Sequence, residues 1–261
     1  MYNLNLTTGP FRKWPFFQPQ EIEQIAADDL RAHQLFPDRP REVDVDSLVQ
    51  KLFGFTPTYL DPGEGILGYI RFDEKKPKVI IIAEALAELG SDTTEHRRRS
   101  TLAHEIGHGR LHAGPFTELV QAKHSGYSSE FVRSPGTTRA AFACRTADIR
   151  DQELAKSPAL SGLAQWERMA EWQANRYMAA VLTPARLVRI AIGDLLGATE
   201  AHAMIALDEA ERTSFTPHLS RLFNVSRQLA SCRLAELFPE SAAGQGDLFT
   251  FQNQPPRAAG F

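Results

Sequence analysis

Cysteine is nearly missing from this chain: Cys144 and Cys232 are the two such residues in 261. That scarcity excludes a disulfide-stapled scaffold and points to a reducing compartment. Long apolar runs are missing too. Nowhere do the ~18 uninterrupted apolar residues of a membrane span occur, and the opening MYNLNLTTGPFRKWPFF lacks a signal-peptide core. A cytoplasmic protein with no membrane partner is therefore expected. Charge of one sign is not in excess either. The net charge is −3 and the pI about 6.3, so nucleic-acid contact would need a local basic patch. What is plentiful is core material, with 43% hydrophobic against 23% charged residues. This is the mix of a globular chain.

Periodicity along the chain predicts helices first. Pro19–His33 carries Ile22, Ile25, Ala26 and Leu30 at helical spacing, and Asp46–Phe53 reads as a short helix stopped by Gly54. The period then changes. Phe55–Leu60, Ile66–Phe72 and Lys78–Ala83 are β-rich runs divided by turn residues, which predicts a small antiparallel meander. Asp92-Thr93-Thr94-Glu95 fits a capping box for a helix to about His112, ended by Gly114-Pro115. Residues 124–138 read as a loop, 139–150 as a helix or ordered turn, and Leu163–Leu182 as a strong helix. Thr183-Pro184 and Thr216-Pro217 each resemble a cap followed by a first-turn proline, and Ser226 can cap a helix to Phe238. The expected fold class is α+β: a small antiparallel sheet packed on a helical core, with a helical C-terminal part. One domain is expected over 1–240, with an insert at about 113–160 and helices at about 184–240. A flexible tail is expected at 241–261.

The chemistry concentrates in Ser100-Thr101-Leu102-Ala103-His104-Glu105-Ile106-Gly107-His108, which contains HExxH. On a helix His104 and His108 share a face and can reach one ion, while Glu105 is turned about 100° aside, where a carboxylate can take a proton from water. A zinc hydrolase needs a third protein ligand. Glu171 is the best candidate, amid apolar and small residues, with Glu167 one turn earlier as the substitute. Asn175, one turn on, can hydrogen-bond a ligand. His112 continues the histidine row but lies about 12 Å from His104 along the axis, too far to share its ion. A supporting role is expected for it.

Arg99-Ser100-Thr101-Leu102-Ala103-His104-Glu105-Ile106-Gly107-His108, together with Glu171-Trp172-Gln173-Ala174-Asn175-Arg176-Tyr177-Met178-Ala179-Ala180-Val181-Leu182-Thr183-Pro184, resembles the ImmA/IrrE metallopeptidases. These pair a TLAHE-x-GH helix with a downstream ExxAN helix, and the likeness runs from about residue 20 to 238. It implies one Zn2+ held by His104, His108 and Glu171, with Glu105 as catalytic base. It also implies a narrow substrate: a helix-turn-helix transcriptional repressor, cut to release a DNA-damage, prophage or anti-phage response. The long stretch between His108 and Glu171, an insert of some forty residues that includes Cys144, departs from the family pattern.

Several features bear on mechanism and control. Tyr127, Tyr177, His112 or an arginine of the insert could steady an oxyanion. Val79–Ala83 could offer a sheet edge to an extended substrate. A thiolate is a better zinc ligand than water, so Cys144 on a mobile insert could occupy the fourth position as an inhibitory ligand. His96-Arg97-Arg98-Arg99, with Arg133, Arg139, Arg145 and Arg150 beside Phe131 and Phe142, suits single-stranded DNA as activator. The rival reading is a DNA-binding regulator or non-cleaving partner protein that retains a zinc site. It would use Thr216–Phe238, with Arg221, Arg227 and Arg233, as a helix-turn-helix. A hydrolase of a non-peptide amide is a further alternative. Cys232 is expected to pack in the core.

Overall fold

The computed structural model describes residues 1–6, 11, 13–63, 65–87, 91–124, 141–145, 165–197 and 206–239. Eight α-helices and two small sheets make up these residues, an α+β fold. The proline-broken opening run forms a hairpin of β1 (Tyr2–Asn5) and β2 (Lys13–Phe16), which nothing in its pattern signals. α1 (Pro19–Ala32) buries Ile22, Ala26 and Leu30 at one-turn intervals. α2 (Val45–Phe53) starts at Asp44, whose carboxylate accepts the Ser47 N–H at 2.9 Å, and stops at Gly54 with φ 79°.

The larger sheet has the order β3-β5-β4-β6, from β3 (Thr58–Leu60), β4 (Ile66–Phe72), β5 (Pro77–Ala83) and β6 (Ala141–Arg145). β4 pairs antiparallel with β5 and β6, but β3 runs parallel to β5, so the sheet is not the expected antiparallel meander. Ile80, Ile81 and Ile82 are all buried, so β5 is covered on both faces, as its continuous apolar run requires. β5 is interior, and the free edge expected at Val79–Ala83 is taken. The run expected to form a helix or turn at 139–150 contains strand β6 instead, because a short run such as Ala141–Arg145 takes its form from the strand it meets. No helix among the described residues is long and apolar enough to cross a membrane.

α3 (Asp92–Leu111) is capped by Ser91, one residue before the expected box, with the Thr94 N–H donating to its hydroxyl at 3.2 Å. Gly114-Pro115 do not close a helix. α4 (Ala113–His124) begins directly after α3 and carries Pro115 in its first turn, where a missing N–H is tolerated. α5 (Gln165–Leu182) is followed by α6 (Ala185–Leu196), for which Pro184 rather than Thr183 occupies the cap position. The Thr183 hydroxyl instead donates back to the Ala179 carbonyl at 2.6 Å. Thr216-Pro217 starts nothing. Both residues lie inside α7 (Glu209–Phe223), which opens on a reciprocal Asp208–Glu211 cap. Ser226 does cap α8 (Arg227–Leu237), accepting the Leu229 N–H at 3.1 Å.

α3 is the axis of the molecule. Leu102, Ala103, His104, Glu105, Ile106 and His108 are all fully buried. Two glycines let the neighbours close on it. A Cβ on Gly68 of β4 would stand 2.7 Å from Thr101 Cγ2, and one on Gly107 would stand 3.0 Å from the Ala174 carbonyl oxygen of α5. α3 thus lies against the sheet on one side and α5 on the other. The C-terminal helices share the same core, through Phe223, Leu229, Leu234 and Phe238. They are pinned to it by the buried Arg99, which donates to the Val43 carbonyl at 3.0 Å and the Asn224 carbonyl at 3.1 Å. Arg233 is likewise buried, donating to the Thr183 carbonyl at 3.0 Å and paired with Glu23 and Glu236. Cys232 is half-buried rather than fully in the core. Its thiol is pushed up to about 11 by burial and the Glu236 charge.

Candidate metal centre

Two helices bring three donors to one point. His104 and His108 extend from α3 with their Nε2 atoms 2.9 Å apart. Glu171 on α5 places Oε2 3.2 Å from His104 Nε2 and Oε1 3.4 Å from His108 Nε2. Donors at ~2.0–2.1 Å around a tetrahedral ion stand about 3.3 Å from one another, so these spacings and the donor set fit a divalent ion. The buried group His104, His108 and Glu171 could hold a metal ion. Glu167, the sequence alternative to Glu171, is half-buried one turn earlier and is not among the convergent donors.

The surroundings orient these donors. Asn175 Oδ1 stands 2.8 Å from His104 Nδ1, so His104 donates there and turns Nε2 inward. His112 Nδ1 stands 3.1 Å from His108 Nδ1, and its ring stacks on Trp14 at 5.2 Å between centroids. His112 is therefore a support for His108, as its place in the row suggested. Gln173 was not singled out from the sequence. Its Nε2 lies 3.4 Å from His112 Nε2, and it ties the β2 end to the site by accepting the Phe17 N–H at 2.8 Å and donating to the Pro15 carbonyl at 3.2 Å. The only sequence sign of it was an amide in a buried helix.

Electrostatics separate the donors. Burial alone would lower the His104 pKa, but the Glu171 carboxylate, with Glu105 and Asn175, holds it up at about 9. Burial carries His108 down to about 4 against the pull of Glu171. Burial would raise Glu171, yet the two facing imidazoles keep its carboxyl well below the usual carboxylate range. The metal-free centre therefore stores a proton on His104 at neutral pH, and a bound ion must displace it. Below about pH 9 ion affinity should fall as pH falls, by about tenfold per unit, down to about pH 4 where His108 begins to protonate. Zinc titrations at pH 6, 7 and 8 measure that slope, and a flat profile would contradict it.

Gly107 sets the distance between the ligand-bearing helices, since the Cβ of any other residue would press on the Ala174 backbone. Gly107→Val should lower stability by about 1–3 kcal/mol through overpacking and should weaken zinc uptake together with it. Melting and metal titration on the same sample test this; unchanged metal affinity would free the donor geometry from the helix spacing.

Glu105 is fully buried on α3, and its charge helps to hold up His104, which puts its carboxylate in the same electrostatic environment as the donors. Tyr177 is not free to steady an oxyanion. Its hydroxyl donates to Asp29 Oδ2 at 2.8 Å, and Asp29 is also gripped by Arg110 at 2.9 Å. His112 is engaged as described. Tyr127, Arg133, Arg139 and Arg150 lie outside the described residues, as do Phe131 and the side chains of Phe142, Cys144 and Arg145. The backbone of Cys144 belongs to β6, paired with Gly68, so this part of the insert is a strand.

The basic run upstream of the centre is divided. Arg98 is tied to Asp46, Glu95 and Tyr59, and Arg99 is buried in the core, so neither is offered to DNA as expected. Arg233 is buried as well, which leaves Arg221 and Arg227 of the supposed recognition pair exposed. No family model matches the chain, and no curated protein matches it.

Proposed function

We propose that this chain is a zinc-dependent endopeptidase whose substrate is a helix-turn-helix repressor. The carrying observation is the convergence of His104, His108 and Glu171 within 3.4 Å of each other on two packed helices, with Glu105 buried beside them. Two imidazoles and one carboxylate are a zinc hydrolase's donor set, with a position left for water. A zinc ion held there supplies a Lewis acid that acidifies water and polarises a carbonyl.

The chain's own groups do the rest. Glu105 takes a proton from water and delivers it to the departing amine. Asn175 and His112 keep the two imidazoles turned inward. His104, Glu105 and His108 have no exposed surface and Glu171 only 6%, which suits a protease that must not degrade cytosolic protein at large. The resemblance to the ImmA/IrrE peptidases supports the repressor as substrate, and Cys144 as inhibitory fourth ligand and single-stranded DNA as activator belong to the same reading.

The test is incubation of the zinc-loaded chain with the neighbouring gene's product, with and without chelator. A single cut that disappears with chelator and returns with zinc supports the proposal. Binding without a cut would turn the reading to the non-cleaving partner.

A further inference from the structure

Arg97 on α3, Arg221 in the last turn of α7 and Arg227 at the start of α8 line one cleft of about 680 Å³, together with His96, Ser100 and Asp92. Arg98, Arg99, Arg110 and Arg233 are all engaged by carboxylates, whereas the guanidinium groups of these three make no ion pair or hydrogen bond with another described residue. With Asp92 the single acid in the lining, the cleft carries a net positive charge. A cleft lined mainly by one sign of charge concentrates ligands of the opposite sign.

Its position relates it to the metal centre. His96 and Ser100 continue the one-turn row of His104 and His108, so the cleft lies along the helix face that carries the donors. From His104 to Ser100 is about 6 Å and to His96 about 12 Å along the axis. An extended peptide covers ~3.3 Å per residue, so a chain crossing the centre would reach the arginines about 3–4 residues from the point of cleavage. No Phe, Tyr or Trp lines the cleft, and single-stranded nucleic acid is held largely by stacking on such rings. A polypeptide needs only the charges and the polar rim.

We infer that this cleft binds an acidic stretch of the polypeptide cut at the metal centre, placing Asp or Glu side chains about 3–4 residues from the scissile bond. The inference rests on the peptidase reading and names the sequence character of its substrate. Arg221 and Arg227 are exposed, so reversing their charge disturbs no packing. They act as specificity-determining residues, and like charges in their place turn attraction into repulsion.

The experiment has a binding arm and a cutting arm. Binding of fluorescein-labelled hexaglutamate, hexaglutamine and hexalysine to full-length Glu105→Gln is read by anisotropy, and again in the Arg221→Glu/Arg227→Glu background. Hexaglutamate should bind at least roughly tenfold tighter than hexaglutamine and weaken as salt rises, and the double reversal should favour hexalysine. That gain separates lost charge from lost fold. In the cutting arm, the zinc-loaded chain acts on a proteome-derived peptide mixture, and new termini are read by mass spectrometry. Cut sites should be enriched in Asp and Glu at the stated distance, and the double reversal should shift the enrichment to Lys and Arg. Equal binding of hexaglutamate and hexaglutamine overturns the inference. So does displacement of hexaglutamate by oligodeoxythymidine at lower concentration, which would make nucleic acid the occupant. Cutting with no acidic preference overturns the cleft's role and leaves the peptidase. Acid-selective binding with no zinc-dependent cut removes the peptidase and keeps the cleft's ligand.

Discussion

Replacing Glu105 with glutamine should lower peptide cleavage by roughly 10²–10⁴-fold and leave zinc content and fold in place. The substitution is close to isosteric, and Glu105 is fully buried among groups that would register a change of volume. What it removes is a base. A carboxamide cannot take the proton of an attacking water, whereas the three proposed ligands, none of which is Glu105, keep their geometry. The measurement is a pair: zinc per chain by mass spectrometry and cleavage rate on the same preparation. Full zinc with lost turnover fits the proposed role. Full zinc with retained turnover would discard Glu105 as the base, and lost zinc would make it a determinant of the site.

The second large effect is expected at Glu171. Glu171→Gln should weaken zinc binding by more than the ~10–100-fold that loss of an outer supporting group costs, because a donor itself is replaced by a poorer one. It also changes the proton linkage. The Glu171 carboxylate is the chief influence opposing burial at His104. Without it burial prevails, the His104 pKa drops, and no proton need be displaced near pH 7. The tenfold-per-unit dependence expected of the native centre should flatten in the variant even as absolute affinity falls. Thermal melting gives an independent readout. An ion at 100 times its Kd stabilises by about 2.7 kcal/mol, a rise of roughly 5–10 °C in a chain of this size. Glu171→Gln should lose most of that rise. A variant that keeps the rise and the pH slope would remove Glu171 from the ligand set.

Single residues explain what could be read in advance. HExxH places two imidazoles on one helical face because four residues are close to a turn, and that holds whatever surrounds the helix. The pairing with Glu171 was legible because an acid amid apolar residues needs a partner when buried. Gln173 was not, since its role depends on a β-hairpin that only the folded chain brings beside α5. Tyr177 offers a hydroxyl in the sequence, but Asp29, 148 positions away, accepts its hydrogen bond in the fold. Arg98 and Arg99 look like their neighbour Arg97 in the sequence, yet two point into internal pairs and one into a cleft. Local pattern sees the charge of a side chain, not the face of the helix that happens to meet a carboxylate.

What the amino-acid order determined alone is local: the helix that carries His104 and His108, the cap at Ser226, the stop at Gly54, the α+β mix. Hydrogen bonds and rotational periods within a few residues decide those. Tertiary structure decided the parallel pairing of β3 with β5, the strand at 141–145, the continuation of α7 through Pro217 and the meeting of three guanidinium groups in one cleft. Each of these depends on which distant surface an element covers, and burial of apolar area against that surface outweighs the small local preferences that a sequence pattern records.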